Sequence, residues 1–361
     1  MSELVRVGLV EETTVQSGSP GRPSLMVAPA SSTNVAIAVD LAVDSLTVAA
    51  VGLGGVVLAR EVVEREPGER RGDDDEVQHD VDSAVAEIER SIQRLVSSLD
   101  PASRTLGVGV GVVGLVNRHD GSVAVAPNLG WRDVALAKLL SEALSDTVDV
   151  AVANEADLAA LAELRRGAAV GASEALLVWG EVGVGGGLVS RGALVRGGAG
   201  FAGEVGHLPL DPDGRRCRCG AVGCWETLVG QAALLERAGR PASAGRAGVG
   251  AVLAAAAAGE AEAMARSPST RWLGLGLAAL INVLNPAVVV LGGLFARIHP
   301  AIDEALGAEI GRRALASSLD GLRVVTSLLG PDAPLIGAAE LAFDAVLSDP
   351  LAALERIIPR R

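Results

Sequence analysis

The chain has 361 residues, enough for two lobes of ordinary domain size. Its formal net charge of −13 argues against a body that binds nucleic acid or anionic membrane non-specifically. Aromatic residues make up only 2% of the chain against 49% hydrophobic, so Ala, Val and Leu must fill the cores. Residues 1–12 carry Glu3, Arg6, Glu11 and Glu12 and no long apolar run, so no signal peptide is expected. The stretch 273–296 has no charged residue, but Asn282, Asn285 and Pro286 interrupt it. A helix followed by a buried strand at Val288–Val290 is expected there, not a membrane span.

In chain order, Leu4, Val5, Gly8, Leu9 and Val10 read as the end of a helix running into a strand. A loop over 11–24 follows, and Leu25, Met26 and Val27 start a second strand. Val35, Ile37 and Val39 alternate with small or polar residues, and Leu46–Val51 and Val56–Ala59 flank four residues, three of them Gly, as a hairpin. Residues 67–80 are expected as a charged, solvated loop. Val81–Leu99 predicts a helix, since Val81, Val85, Ile88, Ile92, Leu95 and Leu99 recur every three or four positions. Leu106–Gly114 is a glycine-studded strand and turn, Asp133 is placed to cap a helix over 134–144, and Val148–Val152 is a strand. Asn154 and Glu155 open a helix over 156–165, a position that plain capping would also explain. Ala175–Trp179 is a strand leading into a glycine turn at Gly183–Gly187. Alanine-rich helices are expected at Val229–Ala238, Gly248–Ala258 and Glu260–Leu284. A strand at Val288–Leu291, a helix over 298–316, a strand at Val324–Val325 and a last helix at Ala333–Leu347 complete the chain.

All three cysteines, Cys217, Cys219 and Cys224, fall in the segment Gly203–Glu226, with His207 ten residues before the first. One His and three Cys make a closed tetrahedral set for a structural zinc. Pro212, Asp213, Gly214, Gly220 and Gly223 supply the turns that bring them together. A disulfide fits poorly, because three is odd and Cys217 and Cys219 are too close to bridge comfortably. Reduced, metal-binding cysteines fit a cytoplasmic protein. Glu204 and Glu226 flank the same loop, and carboxylates fixed in this way suit a ligand with several hydroxyls.

The run GEVGH followed by CRCGAVGCWE resembles the signature of the ROK family, the repressors, open reading frames and sugar kinases. The resemblance spans roughly residues 4–345. It implies an α/β, two-lobed, actin-like fold of the sugar-kinase type with a structural zinc loop, preceded by a winged-helix remnant. The implied domains are a wing remnant and linker over 1–33, an N-terminal lobe over 34–150 completed by a C-terminal helix within 332–361, and a C-terminal lobe over 151–331 with the zinc loop at 203–226. GLVEE, a glycine loop and GRPSL are similar to the tail and wing of the winged helix-turn-helix in ROK repressors, with the recognition helix expected upstream of Met1. Glu3, Glu11 and Glu12 against Arg6 and Arg22 make that segment alone a poor DNA footprint. The resemblance further implies a sugar in the interlobe cleft, held by Asn128, Asn154, Glu155, Glu204, His207 and Glu226. His207 would bind zinc through one nitrogen and sugar through the other.

The chain also departs from the family's kinases. They carry Asp-x-Gly-Gly-Thr in the first hairpin, where glycines let the backbone approach phosphate. Here the residues are Asp40, Leu41, Ala42, Val43 and Asp44, with a second carboxylate where phosphate would sit. Gly183, Gly185 and Gly186 stand at the second phosphate loop, preceded by Glu181 and Val182 where kinases have Gly and Thr. Glu155 takes the position of the kinases' Asp base. Its carboxylate lies one methylene further out, and a misplacement of about 1 Å can cost on the order of 100-fold. Asn-Glu-Ala at this point resembles the xylose-type repressors. The sequence therefore predicts a sugar-responsive transcriptional regulator with no catalytic residues and a structural Zn²⁺. Its expected partners are a sugar or sugar phosphate, a second copy in a homodimer or homotetramer, and operator DNA only through a complete N-terminal domain; no membrane is expected. The alternative is a glucokinase-like, ATP- and Mg²⁺-dependent kinase of a hexose or amino sugar. A third reading is a sugar-binding remnant without DNA.

Overall fold

The computed structural model describes residues 2–15, 24–65, 69–71, 76–146, 148–256, 264 and 266–350. They form two compact units, Met1–Asn154 with Leu335–Arg361, and Glu155–Pro334.

The first unit begins with a short helix, α1 (Ser2–Arg6), and an antiparallel hairpin of β1 (Val10–Val15) and β2 (Ser24–Pro29). Of the expected loop over 11–24, residues 16–23 lie outside the described residues. The body is a five-stranded sheet of β3 (Asn34–Leu41), β4 (Ser45–Gly52), β5 (Val57–Glu64), β8 (Arg104–Val112) and β12 (Val150–Asn154) in the order β12-β8-β3-β4-β5. β3, β8 and β12 run parallel, and β3, β4 and β5 form an antiparallel meander. Val35 to Val39 are all fully buried, so the expected alternation of inner and outer residues gives way to a strand covered on both faces. One cover is α2 (Val81–Ser98), started by Asp80, whose carboxylate accepts a hydrogen bond from the Ser83 backbone N–H at 2.8 Å. Ala84, Ile88, Ile92 and Leu95 form its buried face, and each such large aliphatic side chain contributes roughly 1.5–3 kcal/mol. The other cover is the C-terminal helix Ala333–Ser348, which crosses β8 so closely that a Cβ on Gly109 would lie 1.8 Å from the Ala338 carbonyl oxygen. Residues 351–361 lie outside the described residues.

Two expectations change here. Within the supposed loop 67–80, β6 (Glu69–Arg71) and β7 (Glu76–Gln78) pair antiparallel, while 66–68 and 72–75 lie outside the described residues. Asp133 caps nothing. It belongs to β11 (Trp131–Val134) with a left-handed φ of 50°, and α3 (Leu136–Ala143) starts at Ala135 without a side-chain cap. β11 joins β9 (Leu115–Val116) and β10 (Val123–Ala126) in a small antiparallel sheet.

The second unit repeats the plan. Its strands are β13 (Ala175–Gly180), β14 (Val184–Ser190), β15 (Ala193–Leu194), β16 (Val288–Gly293) and β17 (Arg323–Thr326), in the order β15-β14-β13-β16-β17. Again three parallel strands adjoin an antiparallel meander. Its helices include α4 (Glu155–Arg166), α5 (Glu226–Val229), α6 (Gln231–Arg237), α7 (Gly245–Ala255), α8 (Pro268–Leu284) and α9 (Leu294–Gly311). Of the two later alanine-rich runs, residues 257–263 and 265 lie outside the described residues. The charge-free stretch 273–296 breaks at Asn285, which takes a left-handed φ of 46° before the buried β16. Among the described residues, no helix is long and apolar enough to cross a membrane.

Candidate metal centre and carboxylate cluster

The site grows from β14. The chain returns to that strand after Gly203 and turns through a 3₁₀ segment, Val205–His207, with Val205 buried. A Cβ on Gly206 would sit 2.0 Å from the Val184 carbonyl oxygen, which explains the second glycine of GEVGH. The following loop closes on itself through isolated bridges at Pro209–Cys224 and Arg216–Val222. The Cys217 N–H donates to the Ala221 carbonyl at 2.8 Å, and that of Gly220 to the Cys217 carbonyl at 2.9 Å. Gly223 takes φ +70° and leaves no room for a side chain, since a Cβ there would lie 1.6 Å from the Asp211 carbonyl oxygen.

These turns converge the four expected ligands. One ligand atom from each of His207, Cys217, Cys219 and Cys224 lies within 4.8 Å of the others. Cys217 Sγ is 3.8 Å from His207 Nδ1, and Cys219 Sγ is 3.7 Å from Cys224 Sγ. A tetrahedron with Zn–S bonds of about 2.3 Å has edges of roughly 3.8 Å, close to these two separations, so the set could hold a tetrahedral ion. Cys217 and Cys224 are buried and Cys219 is exposed. Burial, reinforced by donation to Glu226 Oε1 at 2.8 Å, pushes the Cys217 thiol far up, and burial also raises that of Cys224. A divalent cation held by the set reverses this by stabilising the thiolates, and releases protons as it binds.

The flanking carboxylates meet at the same histidine. Glu204 Oε2 lies 3.8 Å from His207 Nε2, and Glu226 Oε1 lies 3.9 Å from Nδ1. Glu226 opens α5, and its Oε2 accepts a long hydrogen bond of 3.4 Å from the Val184 backbone N–H. Burial raises the Glu204 carboxyl pKa, with His207 opposing and the Glu226 charge reinforcing the shift. Glu204, His207 and Glu226 thus form one group on the metal loop, with one imidazole nitrogen toward the sulfurs and the other toward Glu204.

The remaining expected residues are distributed between the units. In the first, Asn154 ends β12 and its Nδ2 donates to the Gly114 carbonyl at 2.8 Å. Asn128 lies in the turn before β11, Asp40 near the end of β3, and Asp44 in the β3–β4 turn, where it accepts from Ser45 Oγ at 3.4 Å. In the second, Glu155 is buried at the start of α4 and its Oε1 accepts from Trp179 Nε1 at 2.8 Å. This carboxylate, expected as a sugar ligand, is engaged with β13. The glycine turn expected at Gly183–Gly187 is shorter. Only Gly183 lies in the turn, while Gly185 and Gly186 are inside β14. A Cβ on Gly185 would meet Ala156 Cβ at 2.7 Å, and one on Gly186 would meet Val205 Cγ2 at 2.7 Å. These glycines are small because α4 and the metal loop pack directly onto the strand.

The buried carboxylates Asp157 and Glu163 escaped the sequence reading. Burial pushes the pKa of Asp157 up to about 7; Arg196 opposes this shift and Glu204 adds to it. Its signal was an acid inside the apolar run of α4. Glu163, fully buried, accepts from the Ala168 N–H at 2.6 Å, Ser327 Oγ at 2.6 Å and the Leu329 N–H at 3.0 Å. No local pattern announces partners so distant in sequence.

The ROK family model matches residues 36–345. The chain belongs to the ROK family. A putative xylose repressor from Caldicellulosiruptor sp. (strain Rt8B.4) is 28% identical over 96% of this ROK chain and 88% of its own length. The crystal structure of a ROK family transcriptional regulator, a homolog of the E. coli MLC protein, superposes with a TM-score of 0.76 at 28% identity, covering 99% of this chain and 89% of that one. A ROK family glucokinase from Streptomyces griseus, in complex with glucose and AMPPNP, gives a TM-score of 0.70 at 26% identity, covering 85% of this chain and 98% of its own. The two-lobed α/β fold is thus common to regulators and kinases of the family.

Proposed function

We propose that this ROK chain is a sugar-responsive transcriptional regulator. One observation carries the reading. The glucokinase is matched over nearly its whole length by 85% of this chain, whereas the regulator's match extends over 99% of it. The family model begins at residue 36, so α1 and the β1–β2 hairpin lie outside it, and we assign them as the wing portion of a winged-helix DNA reader.

In this reading His207, Cys217, Cys219 and Cys224 hold a structural Zn²⁺, which fixes the loop and supplies no reaction chemistry. Glu204 and Glu226 accept hydrogen bonds from sugar hydroxyls, and His207 Nε2 contributes a further polar contact. Asn128, Asn154 and Glu155 are assigned to the same ligand, Glu155 after release from, or together with, Trp179. The sugar acts by its differential affinity for two states of the protein. Assembly is as a homodimer or homotetramer, and operator DNA is the macromolecular partner.

The kinase reading has the fold in its favour and the residues against it. Ala42 and Val43 replace the phosphate-loop glycines, Gly185 and Gly186 serve packing, and the Glu155 carboxylate accepts from an indole. The experiment is a coupled assay with ATP, Mg²⁺ and a panel of hexoses, pentoses and amino sugars. The regulator reading expects no turnover above background, and turnover on the order of 1 s⁻¹ or more would overturn it.

A further inference from the structure

The N-terminal segment meets the body of the first unit at a few polar contacts. Asn34, the first residue of β3, is fully buried, and its Nδ2 donates to the Gly8 carbonyl at 2.7 Å and the Ala30 carbonyl at 3.1 Å. Its Oδ1 is buried without a hydrogen-bond donor among the described residues. A buried asparagine satisfied on one side only costs stability, and its gain is that it specifies one arrangement of the chain. Arg104, the first residue of β8, donates through Nη2 to the Val7 carbonyl at 3.1 Å and the Gly8 carbonyl at 3.3 Å. Gly8, with φ +74°, fits because a Cβ there would come within 2.9 Å of Arg104 Nη2. Leu9 and Ala30 are buried apolar residues of this junction. Beside it a cleft of about 750 Å³ opens, lined by Glu11, Thr13 and Thr33 among others.

The other end of β8 leads to the proposed ligand side. β8 pairs in parallel with β12, Val112 opposite Asn154, and the Gly114 carbonyl accepts from Asn154 Nδ2. One strand therefore begins at the N-terminal contact and ends at Val112, opposite Asn154, a residue assigned to the sugar. We propose that Asn34 and Arg104 form a polar dock that holds α1 and the β1–β2 hairpin in one setting on the first unit, and that β8 carries the ligand state of the site to that dock. The second half of this rests on the regulator reading; the first does not.

Hydrogen exchange of the full chain tests it, comparing the parent with Arg104→Ala and, separately, Asn34→Ala. Amides of residues 4–13 should exchange at least ten-fold faster in both variants, while those of β3 and β8 keep the parent's protection. Unchanged exchange at 4–13 would overturn the dock. An equal loss of protection throughout the sheet would also overturn it, because the two residues would then be ordinary core supports. The ligand arm uses D-xylose and D-glucose, with binding measured by calorimetry. A sugar that binds parent and Arg104→Ala equally, and alters exchange at 4–13 only in the parent, supports coupling through β8. A sugar that binds the parent and leaves 4–13 unchanged overturns that coupling. If neither sugar binds, the sugar reading fails for these probes, and the ligand-free comparison still decides the dock.

Discussion

Glu204, His207 and Glu226 carry the binding proposal at the scale of single residues. Glu204→Gln keeps the shape and removes the charge of an acceptor, so sugar affinity should fall about ten-fold or more, since an unmatched buried polar group costs roughly 1–3 kcal/mol. Zinc content of the same variant should be unchanged, because Glu204 is not a ligand; calorimetry and metal analysis on one preparation check both. Asp157 gives a pH signature. Its folded-state pKa of about 7 lies above the ordinary 3.8, so protonation favours the folded state. The stabilisation is complete below about pH 4 and is lost as pH rises through about 7. Asp157→Asn should flatten this loss, gaining on the order of a few kcal/mol relative to the parent at pH 8 compared with pH 4. Denaturant unfolding at the two pH values measures it, and parallel pH profiles would show that the carboxylate is not in the environment described.

At the scale of elements, the metal loop and the β8–helix crossing make separate predictions. Cys219 is exposed, so replacing it by Ser removes little packing. Loss of the bound metal and a destabilised 208–225 loop are nevertheless expected from Cys219→Ser, with about one Zn per chain in the parent. Folded parent protein that contains no zinc would contradict the assignment. Gly109→Ala should destabilise the first unit by at least about 1–3 kcal/mol, because the C-terminal helix must move to admit a methyl group. The sequence made these elements legible unequally. The cysteine–histidine cluster was readable because its members are local and Cys occurs nowhere else. The glycine run at 183–187 was not, because a phosphate loop and a strand packed under a helix both require the smallest residue. Asp133 looked like a cap by position, but a left-handed φ in a strand leaves no mark on the neighbouring letters. Glu163 was silent because Ser327 and Leu329 reach it only in the folded chain.

For the whole molecule, the two units repeat one sheet plan with unrelated local sequences. On the proposed reading, Ala42 and Val43 alter the phosphate loop of the first unit, while the cysteine–histidine loop of the second keeps Glu204 and Glu226 beside it. A regulator can thus keep a kinase's sugar site while giving up transfer of phosphate, which is the central claim. Titration calorimetry with Mg·ATP in the cell and a panel of sugars in the syringe tests it most directly. The account predicts that at least one sugar gives saturable binding heat that returns to baseline after each injection, and that Glu204→Gln weakens it. Sustained heat of turnover after an injection, or no heat from any sugar in the panel, would contradict it.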